Sequence, residues 1–513
     1  MKMPGLRVLS FLLAANLPTA LANGQTTPAS PSGSLQWPTS AWPESSPEAQ
    51  GVSSSDLADA LEFVRTHDIN IHSLTVVRNG VVVLDAYFYP FARDMRHDVA
   101  SVTKSVVSLL VGVAITEGRL GGLDQPLVAV LPQAVTRGLE PRKRRIRVGD
   151  LLSMQSGLRC GFAQGEPELR EMRKSKDWAV YAFRLPMVTE PANRFGYCSP
   201  NFHLLSAAIT TVTSDNALEY ARARLFAPLG IQDVYWPADP MGITHGWGDL
   251  QLRPRDMAKI GLLMLRDGQW ENRRIVPKLW IDSSLTAHAR VSETEDYGLG
   301  WWLSRRVATL FEANGRGGQR ISVLPAHNVV VVTTGGGFEP GDIGSYLLTA
   351  LRSDTGLSED TQGQARLAEA LRSIAAPPHP HAVVHSTVGE QVSNRVYTLE
   401  DNALGIRSFA VEFSDSARAV LRVGLSDGRV LVQPLGLDGV YRVARDETGA
   451  SSAGRGDWLP DGRFRAEFNR LARINRYLFD IAFRGDDVAI VASEPTELGT
   501  VSLRGTTLPA APR

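Results

Sequence analysis

The chain has 513 residues, of which 43% are hydrophobic and 21% charged, the balance of a globular protein with a large core. Lysine plus arginine (54) matches aspartate plus glutamate (54), so neither nucleic acid nor an anionic membrane is indicated as the main partner. The length accommodates more than one domain.

In chain order, Lys2 and Arg7 precede an apolar run over residues 8–17, and Ala20-Leu21-Ala22 has the small-x-small shape of a signal-peptidase site. This layout predicts a signal peptide over 1–22 and an exported protein, periplasmic or secreted. No cysteine near the cleavage site suggests a lipoprotein. A Thr/Ser/Pro/Gly-rich leader follows over 23–44, and no later stretch is apolar and long enough to span a membrane once the signal is removed. Residues 74–78 and 81–89 read as a hairpin around Asn79-Gly80, a preferred two-residue turn. Residues 101–118 read as a helix apolar nearly all round, hence buried, with Gly118 its stop. The stretch 145–270 is mostly helical with loops, including a helix over 256–265. Strand patterns return at 298–303, 321–324 and 329–334, and a helix over 361–374 closes the segment. Strands at both ends of a helical middle predict one mixed α/β (α+β) domain over 45–375.

A proline-rich linker over 376–383 leads to a region of different character, 384–513. Its short alternating runs (395–399, 406–413, 419–425, 429–435, 440–445, 463–468, 477–483, 488–492), punctuated by Asp427-Gly428 and Asp461-Gly462, predict a small antiparallel β-barrel or sandwich. No nucleophile and base stand out there, so this domain reads as accessory.

The chemistry starts at Ser101-Val102-Thr103-Lys104. A serine and a lysine three apart at a helix start project from one face. A serine hydroxyl needs a neighbouring base to become a nucleophile, and a buried helix N-terminus favours a neutral amine through desolvation and the helix dipole. Chance alone supplies S-x-x-K often, but this one opens a very apolar helix, where a charged lysine is costly without a partner. Tyr197, in Phe195-Gly196-Tyr197-Cys198-Ser199-Pro200-Asn201, precedes a second apolar helical stretch and is a candidate shared acid and base. The turn Gly315-Arg316-Gly317-Gly318-Gln319 leads into a strand, where glycines let backbone N–H groups face an oxyanion.

In this order the three segments resemble the serine β-lactamase and penicillin-binding-protein superfamily. Leu151-Leu152-Ser153-Met154-Gln155-Ser156-Gly157-Leu158, Arg255-Asp256-Met257-Ala258-Lys259-Ile260-Gly261 and Tyr297-Gly298-Leu299-Gly300-Trp301-Trp302 are similar to its class C β-lactamase-related branch, which includes esterases, D-amino-acid peptidases and aminohexanoate-oligomer hydrolases. The resemblance spans roughly residues 45 to 375. It implies a β-lactamase/DD-peptidase-like fold, an antiparallel sheet flanked by helices with a helical lobe. It also implies a cofactor-free serine hydrolase: Ser101 forms the acyl-enzyme, and Lys104 with Tyr197 handles its proton. The Ser101 amide and one near Gly318-Gln319 would form the oxyanion hole, with Ser199, Gly315 and Gly317 beside the substrate.

Two departures bear on the substrate. Tyr-x-Ser replaces Tyr-x-Asn, and no Lys-Thr-Gly is present, leaving Arg316 the nearest cation for a β-lactam carboxylate. These features point to an ester or linear-amide substrate of small or moderate size. A β-lactamase, a D-amino-acid peptidase or carboxypeptidase, and a catalytically silent penicillin-binding-like envelope protein are the alternatives. Glu166, Trp247, Asn201 and Arg316 are candidate rim residues, within or near a polar, solvated loop over 161–176 in the case of Glu166. His203 reads as a satisfied helix histidine. His379 and His381 lack the companions of a metal site, and none is expected. The two cysteines, Cys160 and Cys198, permit one disulfide that would tie that loop to the Tyr197 segment; two free thiols fit equally well. The sequence indicates no oligomeric state.

Overall fold

A computed structural model describes residues 36–135, 138–160, 166–339, 341–384, 386–415, 417–445, 450–494 and 499–507. The signal and most of the leader lie outside the described residues.

The described residues from Trp37 onward pack as one unit built on two large sheets, beside two two-stranded pairings. The first has eight strands, in spatial order Val81–Tyr87, Ile71–Arg78, Val329–Gly335, Gln319–Leu324, Phe311–Gly315, Trp302–Ser304, Glu295–Tyr297 and Ala289–Arg290. All neighbours are antiparallel, and Leu74 sits opposite both Ala86 and Thr333. The Asn79-Gly80 hairpin therefore supplies two strands, and the C-terminal hairpin of the same sheet closes against them. The Gly298–Leu303 stretch is not one strand. Residues 298–301 form a turn between two short strands, because Gly300 adopts a left-handed φ of 82°. The strand Phe311–Gly315 escaped the sequence reading; it is only five residues long, with two apolar side chains, Phe311 and Ala313, too short a run to stand out.

Helices Ser54–Thr66, Gly341–Ala350 and Thr361–Ala375 cover one face of this sheet, packing Leu57, Leu61 and Leu367 on Leu74 and Val76. On the other face lie Val102–Thr116, Pro254–Leu265 and a helical lobe containing Ser199–Thr213. Val106, Val107, Leu109, Leu110 and Val111 are fully buried, each contributing roughly 1.5–3 kcal/mol by leaving water. That burial fixes the helix whose first turn carries the S-x-x-K. The polar segment after Cys160 is not all loop: it contains a short helix, Pro167–Lys174, whose Glu171, Arg173 and Lys174 are exposed as expected, while Leu169 and Met172 are buried three residues apart.

The second sheet has ten strands between Tyr397 and Thr507, antiparallel in the order of a meander, and Gly436 bridges Arg455 to close it into a barrel. Phe409, Leu421, Phe464, Ile481 and Ile490 fill it. Two of its strands, Ser451–Trp458 and Gly499–Thr507, are absent from the sequence reading. The first is rich in Ser, Gly and charge, and the second carries three threonines and two glycines, so neither shows a clear hydrophobic alternation.

Candidate active site

Ser101 is the N-cap residue of the Val102–Thr116 helix, and its hydroxyl caps no amide. The hydroxyl instead accepts a hydrogen bond of 2.7 Å from Lys104 Nζ. Lys104 is 2% exposed, and its Nζ also donates to the Trp247 carbonyl at 2.8 Å. The Tyr197 ring centroid lies 5.0 Å from the same nitrogen. Ser101, Lys104 and Tyr197 thus meet at the start of one buried helix.

Each partner is held by a segment that the sequence reading singled out. The Met154 carbonyl accepts the Gly196 amide, and Ser156 Oγ donates to Asn201 Oδ1 at 2.9 Å, so the 151–158 motif fixes the Tyr197 segment. The 297–302 motif serves two parts at once. Its Leu299 and Gly300 carbonyls accept from Ser108 and Ser105 on the nucleophile helix, while Trp302 stacks against Tyr197 with centroids 6.1 Å apart. Tyr297, fully buried beside them, has its phenol pKa pushed well above the ordinary value by desolvation and by neighbouring Tyr197. Trp247 is anchored from the opposite side: Ser206 Oγ donates to the Thr244 carbonyl, Trp236 to that of His245. Cys160 and Cys198 are joined as a disulfide with Cα atoms 5.1 Å apart, tying the end of the 151–158 segment to the residue after Tyr197.

The glycine turn flanks the serine from the sheet side. A Cβ on Gly315 would stand 2.5 Å from the Val99 carbonyl, so only glycine allows this close approach to the residues before Ser101. Gly317 and Gly318 take φ of 83° and 93°, and the Gly318 carbonyl is occupied by Thr333 Oγ1. Arg316 is exposed at the tip.

The side chains of two expected site residues, Gln319 and Asn201, are engaged within the protein. The Gln319 side chain is buried and committed to backbone, its amide donating to the Gly335 and Arg316 carbonyls while Oε1 accepts the Gly335 N–H. That side chain braces the turn and is not a substrate-binding group; the oxyanion role expected near Gly318-Gln319 belongs to a backbone amide. Asn201 is no rim residue; it is fully buried on Ser156. Trp247 lies beneath the lysine, and its ring carries the Arg173 guanidinium at 5.6 Å. Glu166 precedes the Pro167–Lys174 helix, its carbonyl accepting the Leu169 and Arg170 amides. From the same helix Arg173 lies over the Trp247 ring. Ser199 is buried, and its hydroxyl has no partner among the described residues. His203 is buried and bonded through Nε2 to Asp239 at 3.1 Å.

Missed in the sequence was a charged layer behind the serine. Asp98 Oδ1 accepts the Ala100 amide at 2.9 Å, and Asp249 Oδ2 bonds His245 Nδ1 at 2.9 Å. Burial raises the Asp98 pKa, and Asp249 raises it further. For Asp249, burial is outweighed by the His245 hydrogen bond and nearby arginines, which bring it to about 2. Isolated aspartates carry no spacing signal, so only the fold reveals them.

A half-buried serine within hydrogen-bond reach of a buried amine, with a tyrosine ring against that amine, is the arrangement of an acyl-transferring serine hydrolase. The family model for Beta-lactamase matches residues 61–355, and the chain belongs to that family. Among characterised relatives, 6-aminohexanoate-dimer hydrolase of Paenarthrobacter ureafaciens is 25% identical over 280 residues, covering 50% of this chain and 70% of the relative. D-aminopeptidase of Brucella anthropi is 27% identical over 183 residues, 31% of each chain. Among solved structures, the octameric penicillin-binding protein homologue from Pyrococcus abyssi covers 88% of this chain and 99% of its own, with a TM-score of 0.48 at 18% identity.

Proposed function

We propose that this protein cleaves a linear amide or ester of small to moderate size through an acyl-enzyme on Ser101. The observation that carries this reading is the 2.7 Å contact between Lys104 Nζ and Ser101 Oγ in a buried setting. As Oγ attacks the scissile carbonyl, its proton passes to the Lys104–Tyr197 pair, and the oxyanion forms beside the Ser101 amide at the helix N-terminus. The same pair protonates the leaving amine or alcohol, and water it then activates releases the acid. The similarity to an aminohexanoate-dimer hydrolase supports a linear amide. The lack of a Lys-Thr-Gly at the turn, where Arg316 is the sole cation among residues 315–319, argues against an efficient β-lactamase.

The test is a substrate panel of p-nitrophenyl esters, linear aminohexanoate amides, D-alanyl peptides and nitrocefin, run on wild type and Ser101→Ala. Turnover of an ester or linear amide that vanishes in Ser101→Ala is expected. Full activity in Ser101→Ala overturns the reading, and preferential nitrocefin or D-alanyl turnover replaces the proposed substrate. Export is part of the proposal, resting on the 1–22 pattern. N-terminal sequencing of the mature protein should begin at Asn23; an intact Met1 in the cell-free or periplasmic fraction contradicts cleavage.

A further inference from the structure

The C-terminal barrel reaches into the back of the site through the loop 470–475, between strands Phe464–Asn469 and Arg476–Arg484. Arg473 Nη1 donates to Asp98 Oδ2 at 2.9 Å and to Asp249 Oδ1 at 2.7 Å. The neighbouring Ala472 carbonyl accepts the Asp98 amide at 3.0 Å. Ile474 is buried, and its Cγ2 stands 2.5 Å from where a Cβ on Gly317 would lie. One loop therefore touches three segments of the site: the strand before Ser101, the stretch that follows the Lys104 acceptor, and the glycine turn.

The two carboxylates stand at strained backbone. Ala100, held by Asp98, has a φ of 47°, and Asp249 itself has a φ of 63°. Non-glycine residues in this region cost on the order of 1–3 kcal/mol each and persist where surrounding contacts over-determine them. From Asp98 the restraint runs through the Ala100 amide to Ser101. From Asp249 it runs through His245, which stacks on Trp247 with centroids 5.3 Å apart, to the carbonyl that receives Lys104. The segments are also paired directly, His97–Asp98 against Gln251–Leu252. Without a cation, two carboxylates at this spacing would repel and splay the segments.

We propose that loop 470–475 belongs to the catalytic apparatus and that Arg473 is a positioning residue, setting Ser101 against the Lys104 acceptor. The barrel is thereby a working part of the hydrolase. This rests on the serine-hydrolase reading of Ser101.

The experiment uses the full chain and measures the rate of fluorophosphonate labelling of Ser101, together with kcat and KM for p-nitrophenyl acetate, per labelled site. Arg473→Ala should lower the labelling rate and kcat by roughly 10- to 100-fold, the scale of a small misplacement of reacting groups, with KM changed about threefold or less. Both contacts are made by the one nitrogen Nη1, so Arg473→Lys, which keeps the charge as a point ammonium on a shorter side chain, should fall between. Ile474→Ala, which trims only the brace on Gly317, should slow labelling by about threefold or more, and it decides the matter with Arg473→Lys where Arg473→Ala does not fold. A purely structural loop would lower the amount of folded protein and its melting temperature while leaving rates per labelled site at wild type, and that result overturns the proposal. A wild type that is not labelled at Ser101 overturns the hydrolase reading and this inference together; a labelled wild type with unchanged variants overturns the inference alone.

Discussion

Lys104 spends one N–H on Ser101 Oγ and another on the Trp247 carbonyl, so its orientation is set from two sides before substrate arrives. Lys104→Ala should therefore cost more than a lost hydrogen bond: kcat is expected to fall by roughly 10³-fold, and Tyr197→Phe by roughly 10²-fold or more. Steady-state kinetics on the best ester check both, and a Lys104→Ala enzyme within tenfold of wild type would remove the lysine from proton transfer. A second residue-scale expectation concerns pH. His97 Nδ1 faces the Asp98 carbonyl at 2.8 Å, and its Nε2 faces His72 Nδ1 at 2.8 Å; a carbonyl can only accept, so His97 carries its hydrogen on Nδ1 and accepts from His72. Burial pushes His97 down to about 4, the Asp98 hydrogen bond opposes this, and Arg473 adds to it. An unfolded histidine takes its proton near pH 6.5. Between about 6.5 and 4 the unfolded chain thus binds more protons than the folded one, and stability falls as pH falls through that window. The loss should reach about 3 kcal/mol for this residue alone, read as the urea midpoint against pH; a flat midpoint from pH 7 to 5 would contradict a neutral buried pair.

Among the elements, the disulfide and the nucleophile helix carry separable loads. Cys160 and Cys198 are 38 residues apart, so opening the bridge should cost about 2–4 kcal/mol through the unfolded chain's regained freedom. Urea unfolding of Cys160→Ser compared with wild type, with mass spectrometry after alkylation, checks this. In the nucleophile helix, a Cβ on Gly112 would fall 2.3 Å from the Trp280 ring. Trp280 is buried in the helix Lys278–Ser284, so the ring has nowhere to move. Gly112→Val should lose on the order of 3 kcal/mol to overpacking, which exceeds the few tenths that helix propensity returns. An unchanged urea midpoint would mean that the two helices can separate without loss.

For the molecule as a whole, the barrel and the hydrolase part share buried contacts. Besides loop 470–475, Tyr89 Oη accepts the Tyr441 amide at 3.0 Å, and Leu471 is fully buried. Removing that loop from its seat would expose apolar surface and leave Asp98 and Asp249 without their shared cation. The two parts should therefore unfold together, as one calorimetric transition; two well-separated transitions would show that the interface contributes little. Among the described residues no helix is long and apolar enough to cross a membrane.

Much of this was legible before any coordinates. The nearly unbroken apolar run over 101–118, the Asn79-Gly80 turn and the turn-punctuated strands after residue 395 are local signals, because each depends on side chains a few positions apart. The S-x-x-K spacing likewise fixes which residues share a helix face, whatever surrounds them. Gln319 and Asn201 looked like binding groups because their chemistry allowed it; their hydrogen bonds to Gly335 and Ser156 are decided by strands and helices far away in sequence. Arg473, 375 residues from Asp98, lies in a loop with no motif at all. Short-range spacing was enough to single out Ser101, Lys104 and the kind of fold that holds them. Only the tertiary structure decided which polar groups are already used by the backbone and that the barrel's arginine neutralises two carboxylates behind the serine, since pairing and burial are properties of the packed chain.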